Sequence, residues 1–519
     1  MGEKTIKSKT CSFLFVLAIV LSLFNGVHEE WVPKIIYTFL GNTTLAAIYP
    51  LFLLSLIIFV DCIVTKQVRK YKPLLWFLIF YMAINFIVNL HGIITFKYAE
   101  YVKIDEITGI TKYCFDLIKK IVPSISDYLD WAIVFMIRNT FNSFVEFYSL
   151  WFIVYSVALY CLEDNKLYKH ISIGMYISIA IVCFYEIFEV AYFMGKDWGA
   201  KFLETVNPYI IPVGNIWPAL PSGIRNVFHE QSYYAYWACM VIPFFLYGFI
   251  EKKKWYDLLF AFFLMGCMFA GNSRTGVALV FIELVVIFGC VIFVKKKKAI
   301  KPLLIISVSL IVALAIGIGF LANRPVYSFY GTENLFERVA MFLDETMGTL
   351  FDKTRRSNPG RFGLREAEIK TWLESPIFGV GSELKGFHII DNYPEYGGDA
   401  SSWFDVQREV GSAPYCIPAL NQFTSALASG GIVGFMASCM PLISLALILL
   451  VLCFKKQVLI KNNAIEEEKV DNTPYLYALA AVIVILAFGF SCNVFISGLA
   501  FMIPGLALSY LMKAHKNKN

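Results

Sequence analysis

The chain has 519 residues, of which 58% are hydrophobic and 16% are charged, and its formal net charge is +6. A soluble globular protein carries about 25% charged residues, so the composition excludes that class. The apolar residues occur in blocks of about 18–25, the length that crosses the roughly 30 Å hydrocarbon core of a bilayer as a helix. The sequence therefore predicts an all-α, polytopic membrane protein.

Twelve membrane spans are predicted in chain order. They centre on residues 11–24, 41–63, 73–96, 138–160, 171–194, 233–250, 255–271, 276–294, 302–322, 423–454, 475–492 and 494–512. The first block is short and follows three lysines, a pattern that also fits a signal peptide, but no A-x-A-like cleavage site follows it. We expect a single transmembrane helical domain over residues 1–519.

Basic residues predict the orientation of these spans. Lysine and arginine cluster at the N-terminus and then at every second connection, for example at Lys252–Lys254 and Lys295–Lys298. The positive-inside rule then places both termini in the cytoplasm and the other connections outside. Three outside connections are long, at about 97–137, 195–232 and 323–422, and the last forms a large loop between spans nine and ten. The positive charge is thus a topology signal, and no nucleic-acid partner is expected.

Ionisable residues within the spans lie in the middle or the outer half, and they predict a polar cavity open to the outer leaflet. They are His91, Arg138, Glu146, Glu186, Glu189, Arg274 and Glu283. The alternative is a set of interhelical pairs that hold the bundle together. A transporter would place such groups near the midplane, so the outward skew favours an enzyme. No GxxxxGK[ST], CxxC or HExxH motif occurs, so we predict no nucleotide site, no metal and no cofactor.

Two polar segments precede spans six and eight. In the first, residues 225–233, Arg225 is a candidate anion ligand, and Glu230 or His229 is a candidate proton acceptor. In the second, a tight turn at 271–276, Arg274 stands at a helix N-terminus, which favours phosphate. The alternative for both segments is charge that flanks a span at the headgroup level.

The third segment lies within the large loop. Asn358-Pro359 predicts a helix start and Ser375-Pro376 a helix end. Four residues of this helix share one face, namely Arg361, Arg365, Glu368 and Trp372, and an adjacent apolar face carries Phe362, Ile369 and Leu373. Two guanidinium groups one turn apart repel mildly, and a bound polyanion would remove that cost. The indole suits a sugar ring, and the alternative is a solvated helix face.

The fourth segment is the return to the membrane at Leu420-Asn421-Gln422, followed by Gly431 and Gly434. Together, the SRTG turn, the R-x-x-x-R helix leading to W-x-x-x-P-x-x-G-x-G, and N-x9-G-x-x-G at the return resemble the O-antigen polymerase and O-antigen ligase superfamily. The HEQSYYA stretch is similar to the E-P-S-aromatic stretch of the polymerase branch, with Gln231 in place of proline. The resemblance covers residues from about Arg225 to Gly434.

The resemblance implies a helical bundle related to lipid-sugar-dependent (GT-C-like) glycosyltransferases in the bacterial cytoplasmic membrane. It implies transfer of an undecaprenyl-diphosphate-linked glycan to an acceptor hydroxyl on the outer face, independent of metal. Arg225, Arg274, Arg361 and Arg365 are then candidate diphosphate ligands, with Trp372 and Asn421 as further substrate contacts. Glu230 is the first candidate for the general base, with His229 and His388 behind it.

One departure from the family pattern selects between its branches. The ligase branch carries histidine before the asparagine of the return segment, and here that residue is Leu420. Leucine cannot act as a base, so the sequence favours a polymerase that joins lipid-linked repeat units. A ligase or related glycan transferase is the first alternative, and a lipid-linked oligosaccharide flippase is the second. The expected partners are the lipid-linked glycan, membrane lipid and, as a further candidate, a chain-length regulator protein.

Overall fold

A computed structural model describes residues 2–24, 45–101, 109–211, 220–271, 273–295, 300–325, 358–382, 384–397, 420–461 and 473–516. These residues form α-helices joined by short turns, without a β-strand among them, which confirms the all-α prediction. The first eight helices are α1 Gly2–Leu21, α2 Ile48–Val64, α3 Lys72–Ile94, α4 Gly109–Ile121, α5 Asp127–Glu163, α6 Leu167–Phe193, α7 Asp197–Ile210 and α8 Gln231–Lys252. The others are α9 Trp255–Ala270, α10 Arg274–Lys295, α11 Ile300–Asn323, α12 Asn358–Glu374, α13 Lys385–Asn392, α14 Gln422–Ser438, α15 Met440–Lys461, α16 Thr473–Phe488 and α17 Leu499–Lys516.

Eleven of the twelve predicted spans overlap one described helix each. Among the described residues, seven helices are long and apolar enough to cross a membrane, and five shorter apolar helices accompany them. These are the helices of an integral membrane protein, and twelve spans remains a prediction. One predicted span, 423–454, differs from expectation because it consists of two helices, α14 and α15, with a further break inside α14 at Gly431.

The core of the bundle surrounds α8. Its side chains Tyr234, Tyr236 and Trp237 are fully buried. Tyr236 stacks on Phe488 of α16 with ring centroids 3.9 Å apart. The indole of Trp237 donates to Ser22 Oγ at 3.1 Å, which ties α8 to the end of α1. By contrast, α3 and α11 bury only 22% of their most apolar window, as expected of helices that face lipid.

Two of the three connections predicted to lie outside pack against each other. Phe96 meets Phe387 edge-on at 5.3 Å, and Lys97 Nζ lies 2.9 Å from Glu374 Oε2. The large loop is therefore seated on the ends of α3 and α5 through a shared apolar core. Residues 326–357 and 398–419 of the large loop lie outside the described residues.

Candidate active site

The loop before α8, residues 222–230, is held by two carboxylates of α6. The backbone N–H of Asn226 donates to Glu189 Oε2 at 2.9 Å, and its side-chain amide donates to Glu186 Oε2 at 3.1 Å. Asn226 has a φ of 53°, a left-handed conformation that asparagine tolerates better than most residues. Both glutamates are buried. They were predicted to line a cavity, and in the structure they fix this loop.

Arg225 and His229 lie within the same loop. Arg225 is 3% exposed, donates through Nη1 to the carbonyl oxygen of His229 at 3.1 Å, and interacts electrostatically with Glu189. Burial lowers the pKa of Arg225. Burial and the Arg225 charge lower the pKa of His229 to about 4, so its imidazole is neutral at pH 7. Arg225 thus supports the loop, and its contact with a diphosphate stays a prediction.

Glu230 and Arg361 both act on a polar corner formed by Tyr233 and Cys492. Each of the two charged residues interacts electrostatically with both Tyr233 and Cys492. Glu230 stands at the N-cap position of α8 and accepts a hydrogen bond from Ser232 Oγ at 2.8 Å. The fold therefore brings a predicted proton acceptor close to a predicted diphosphate ligand, although the two are far apart in sequence.

The turn between α9 and α10 contacts the 222–230 loop. Ser273 Oγ accepts a hydrogen bond from the N–H of Gly276 at 3.2 Å and so caps α10, whose first residue is Arg274. A Cβ atom on Gly271 would lie 2.6 Å from the carbonyl oxygen of Ile224, so the two backbones touch. The predicted tight turn is confirmed, and it forms one unit with the 222–230 loop.

Helix α12 ends before Ser375-Pro376, as predicted. Arg361 and Arg365 are exposed on it, and Arg365 interacts electrostatically with Glu368. The predicted helix places Glu368 on the same side as Arg361 and Arg365, but its exposure is 0% because α12 packs on α14 and α13 there, so Glu368 is not available to a ligand. On the adjacent apolar face, Leu373 is 61% exposed and Phe362 is half-buried.

The glycine-containing segment 376–381 and the glycines of α14 pack together and form one backbone joint. Helix α14 is interrupted at Gly431, where φ is 60° and ψ is −162°, and the segment 376–381 packs against the break. Four backbone hydrogen bonds of 2.9–3.1 Å join them: residues 432 and 433 donate to residues 376 and 377, and residues 380 and 381 donate to residues 428 and 429. A Cβ atom on Gly379 would lie 2.5 Å from the nitrogen of Gly430, so only glycine permits this approach.

Sequence reasoning missed a buried cluster of polar and charged side chains between α12, α13 and α14. Lys385 of α13 donates to Ser425 Oγ, and Thr424 donates to Glu368 Oε2. Burial lowers the pKa of Lys385 and raises the pKa of Glu368, while the attraction between the two opposes both shifts. Thr424 and Ser425 lie three and four residues after Asn421, one helical turn into α14. This spacing from the predicted Asn421 is the sequence signal that could have pointed to these two hydroxyl groups.

Three further predicted residues have structural contacts. Asn421 is the N-cap of α14, where Oδ1 accepts from the N–H groups of Phe423 and Thr424 at 3.0 and 3.1 Å. The Trp372 indole donates to the carbonyl oxygen of Pro376 at 3.0 Å and fixes the start of the glycine segment. His388 is 4% exposed, and its Nδ1 lies 2.8 Å from Glu374 Oε2, which disfavours it as a base.

Comparison with known families supports the motif assignment. Residues 259–439 match the O-antigen ligase family. The match spans the SRTG turn, the large loop and the broken helix α14, so the resemblance to the O-antigen polymerase and ligase superfamily is confirmed over this part of the chain. No curated protein matches the sequence.

Proposed function

We propose that the chain is a polysaccharide polymerase, a metal-independent glycosyltransferase of the hexosyltransferase type. It transfers an undecaprenyl-diphosphate-linked glycan to the acceptor hydroxyl of another lipid-linked repeat unit. In this proposal the protein lies in the bacterial cytoplasmic membrane with both termini inside, and the loops around Glu230 and Arg361 face outside. Membrane lipid and a chain-length regulator are its further proposed partners.

The observation that carries this proposal is the corner of Tyr233 and Cys492, which lies within electrostatic range of both Glu230 and Arg361, with Arg365 exposed one turn further along α12. In the proposed step the acceptor hydroxyl attacks the anomeric carbon of the donor sugar. Its proton passes to Glu230 as general base. The bond from the anomeric carbon to the diphosphate oxygen breaks, and Arg361, Arg365 and Arg274 stabilise the charge that develops on the leaving diphosphate.

Leu420 favours polymerisation over ligation. Its side chain packs against the small apolar cluster of Leu364, Ala367 and Ile389. The position at which the ligase pattern has histidine is therefore an apolar contact with α12. The family match, which carries the ligase description, keeps ligation as the second candidate function.

The proposal is tested by comparing Arg365→Ala with Arg365→Lys in cells that lack the native protein. We expect Arg365→Ala to remove long glycan chains, because a removed guanidinium costs about 2–4 kcal/mol of transition-state stabilisation, and Arg365→Lys to restore part of the activity. Lys370→Ala is the matched control, since it removes an exposed cation from the same helix. Wild-type chain lengths in both Arg365 variants would overturn the diphosphate role of α12.

Glycan analysis of a deletion strain separates the candidate functions. Loss of a polymerase leaves single repeat units on the acceptor lipid. Loss of a ligase leaves the acceptor bare while long chains remain on the undecaprenyl carrier. Loss of a flippase traps the repeat units inside the cell. Only the first result supports the proposal.

A further inference from the structure

A cavity with a volume of ≈ 230 Å³ lies between α3 and α14, beside the break at Gly431. It is smaller than the about 300–1,000 Å³ of pockets for drug-sized ligands, so it suits a single ring. Its polar lining includes Asn85, Ser382, Gln422, Ser425, Ser429 and Asn493. The described residues that line it are uncharged, and Lys385 contacts the lining through its hydrogen bond to Ser425 Oγ. Lys385 also interacts electrostatically with the buried Glu368, so the lining offers an anionic ligand no unbalanced positive charge, and a phosphate there would be desolvated at a cost.

The lining offers unused hydrogen-bonding capacity. Asn85 is 7% exposed, and its Oδ1 accepts from Asn89 and from Ser382 at 3.5 and 3.4 Å. Its Nδ2 has no hydrogen-bond partner among the described residues. A buried donor without a partner costs about 1–3 kcal/mol, so a rotation of the Asn85 amide that brings Nδ2 to an accepting ligand in the cavity is favoured. Ser429 donates back to the carbonyl oxygen of Ser425 at 2.8 Å, which leaves its oxygen lone pairs to accept from a ligand.

The cavity adjoins the polar corner described above. Asn493 lines the cavity and follows Cys492, which interacts electrostatically with Glu230 and Arg361. Gln422, also in the lining, accepts through Oε1 from the N–H of Val494 at 2.9 Å and holds this connection in place. The neutral cavity and the charged corner are therefore neighbouring parts of one region.

We propose that this cavity binds one uncharged sugar ring of the acceptor repeat unit through its hydroxyl or amide groups. The two substrates are then bound by different kinds of side chain. The arginines bind the donor diphosphate, and the serine and amide side chains bind the acceptor sugar. This inference rests on the proposed function. Small residues such as Ala426 and Gly434 leave the space that the ring occupies.

The test uses the full-length protein in proteoliposomes. The varied acceptor is a labelled lipid-linked single repeat unit, and the donor is a lipid-linked long chain at saturating concentration. Asn85→Leu removes the unpaired amide at similar volume, so we expect the acceptor KM to rise roughly five- to tenfold with kcat little changed. The variant also removes the oxygen that accepts from Asn89 and Ser382, so its melting temperature is measured to show that the fold is intact.

Two variants of α14 complete the design. Ala426→Leu fills the cavity and should also raise the acceptor KM, whereas Met436→Leu lies on an exposed part of the same helix and should not. A wild-type protein that polymerises while Asn85→Leu and Ala426→Leu keep the wild-type KM would overturn the cavity assignment alone. A wild-type protein that transfers no chain at all would overturn the proposed function, and the cavity assignment with it.

Discussion

At the residue scale, the candidate site depends on side chains that the structure separates into two kinds. Arg361 and Arg365 are exposed and can meet a ligand, whereas Arg225 and Asn421 hold backbone in place. A sequence shows that these residues are polar, but it does not show which of their atoms already form hydrogen bonds within the fold. The distinction follows from burial, because a buried polar group must find a partner within the fold.

Glu230→Gln tests the proposed base. It keeps the size of the side chain and its contact with Ser232 but removes the carboxylate that accepts the proton. We expect a 10²–10⁴-fold loss of kcat, the range of a general base, with unchanged amounts of protein in the membrane. Glu204→Gln on the exposed side of α7 is the matched control. Full activity in Glu230→Gln would remove this residue as the base.

His229 predicts a pH dependence of stability. Its pKa is about 4 in the folded protein, below the unperturbed value of about 6.5 in an unfolded chain. Between these values the unfolded state binds more protons, so stability is lost as pH falls from about 6.5 towards 4. We expect the melting temperature of the wild type to fall more between pH 7 and pH 5 than that of His229→Gln. Parallel curves for the two proteins would contradict the buried, neutral imidazole.

At the element scale, the joint between the segment 376–381 and α14 explains why two distant glycine motifs occur together. The break at Gly431 releases backbone groups that must be paired inside the membrane domain. The segment 376–381 pairs four of them, and Trp372 fixes its first residue. Irregular backbone is thus kept where it is buried against protein, beside a polar cavity.

Gly431→Ala tests this joint. An alanine Cβ would lie 2.3 Å from the carbonyl oxygen of Ile377, and φ of 60° adds backbone strain. We expect a loss of about 3 kcal/mol or more of stability, seen as a lower melting temperature, together with loss of activity. Gly289→Ala in α10 is the control, because nothing lies within 4 Å of its added Cβ. Equal melting temperatures for the two variants would show that the joint is not a rigid one.

At the scale of the whole molecule, the large loop is built onto the bundle and is not a separate domain. Its helix α12 packs on α14, and its helix α13 packs on the ends of α3 and α5 through Phe387. In the proposed site, the bundle supplies Glu230 and Arg274, and the loop supplies Arg361 and Arg365. The proposed site therefore requires the docked loop.

Chelation tests the absence of a metal from the proposed reaction. The charge on the leaving diphosphate is assigned to arginines, which need no divalent ion. We expect polymerisation in proteoliposomes to continue at the wild-type rate after treatment with EDTA and gel filtration. Loss of activity that magnesium or manganese restores would contradict the assignment of leaving-group stabilisation to arginine alone.

The sequence by itself determined the helical class, the position of the apolar helices and the family resemblance over residues 259–439, because segment length, hydropathy and motif order are local properties of the chain. It also located the loop before α8, the tight turn and α12. Only the tertiary structure decided that Glu368 is buried, that Glu186 and Glu189 hold the 222–230 loop, and that Asn85 borders a neutral cavity. These facts depend on which faces of distant helices meet, and no local pattern encodes the partner of a buried polar atom.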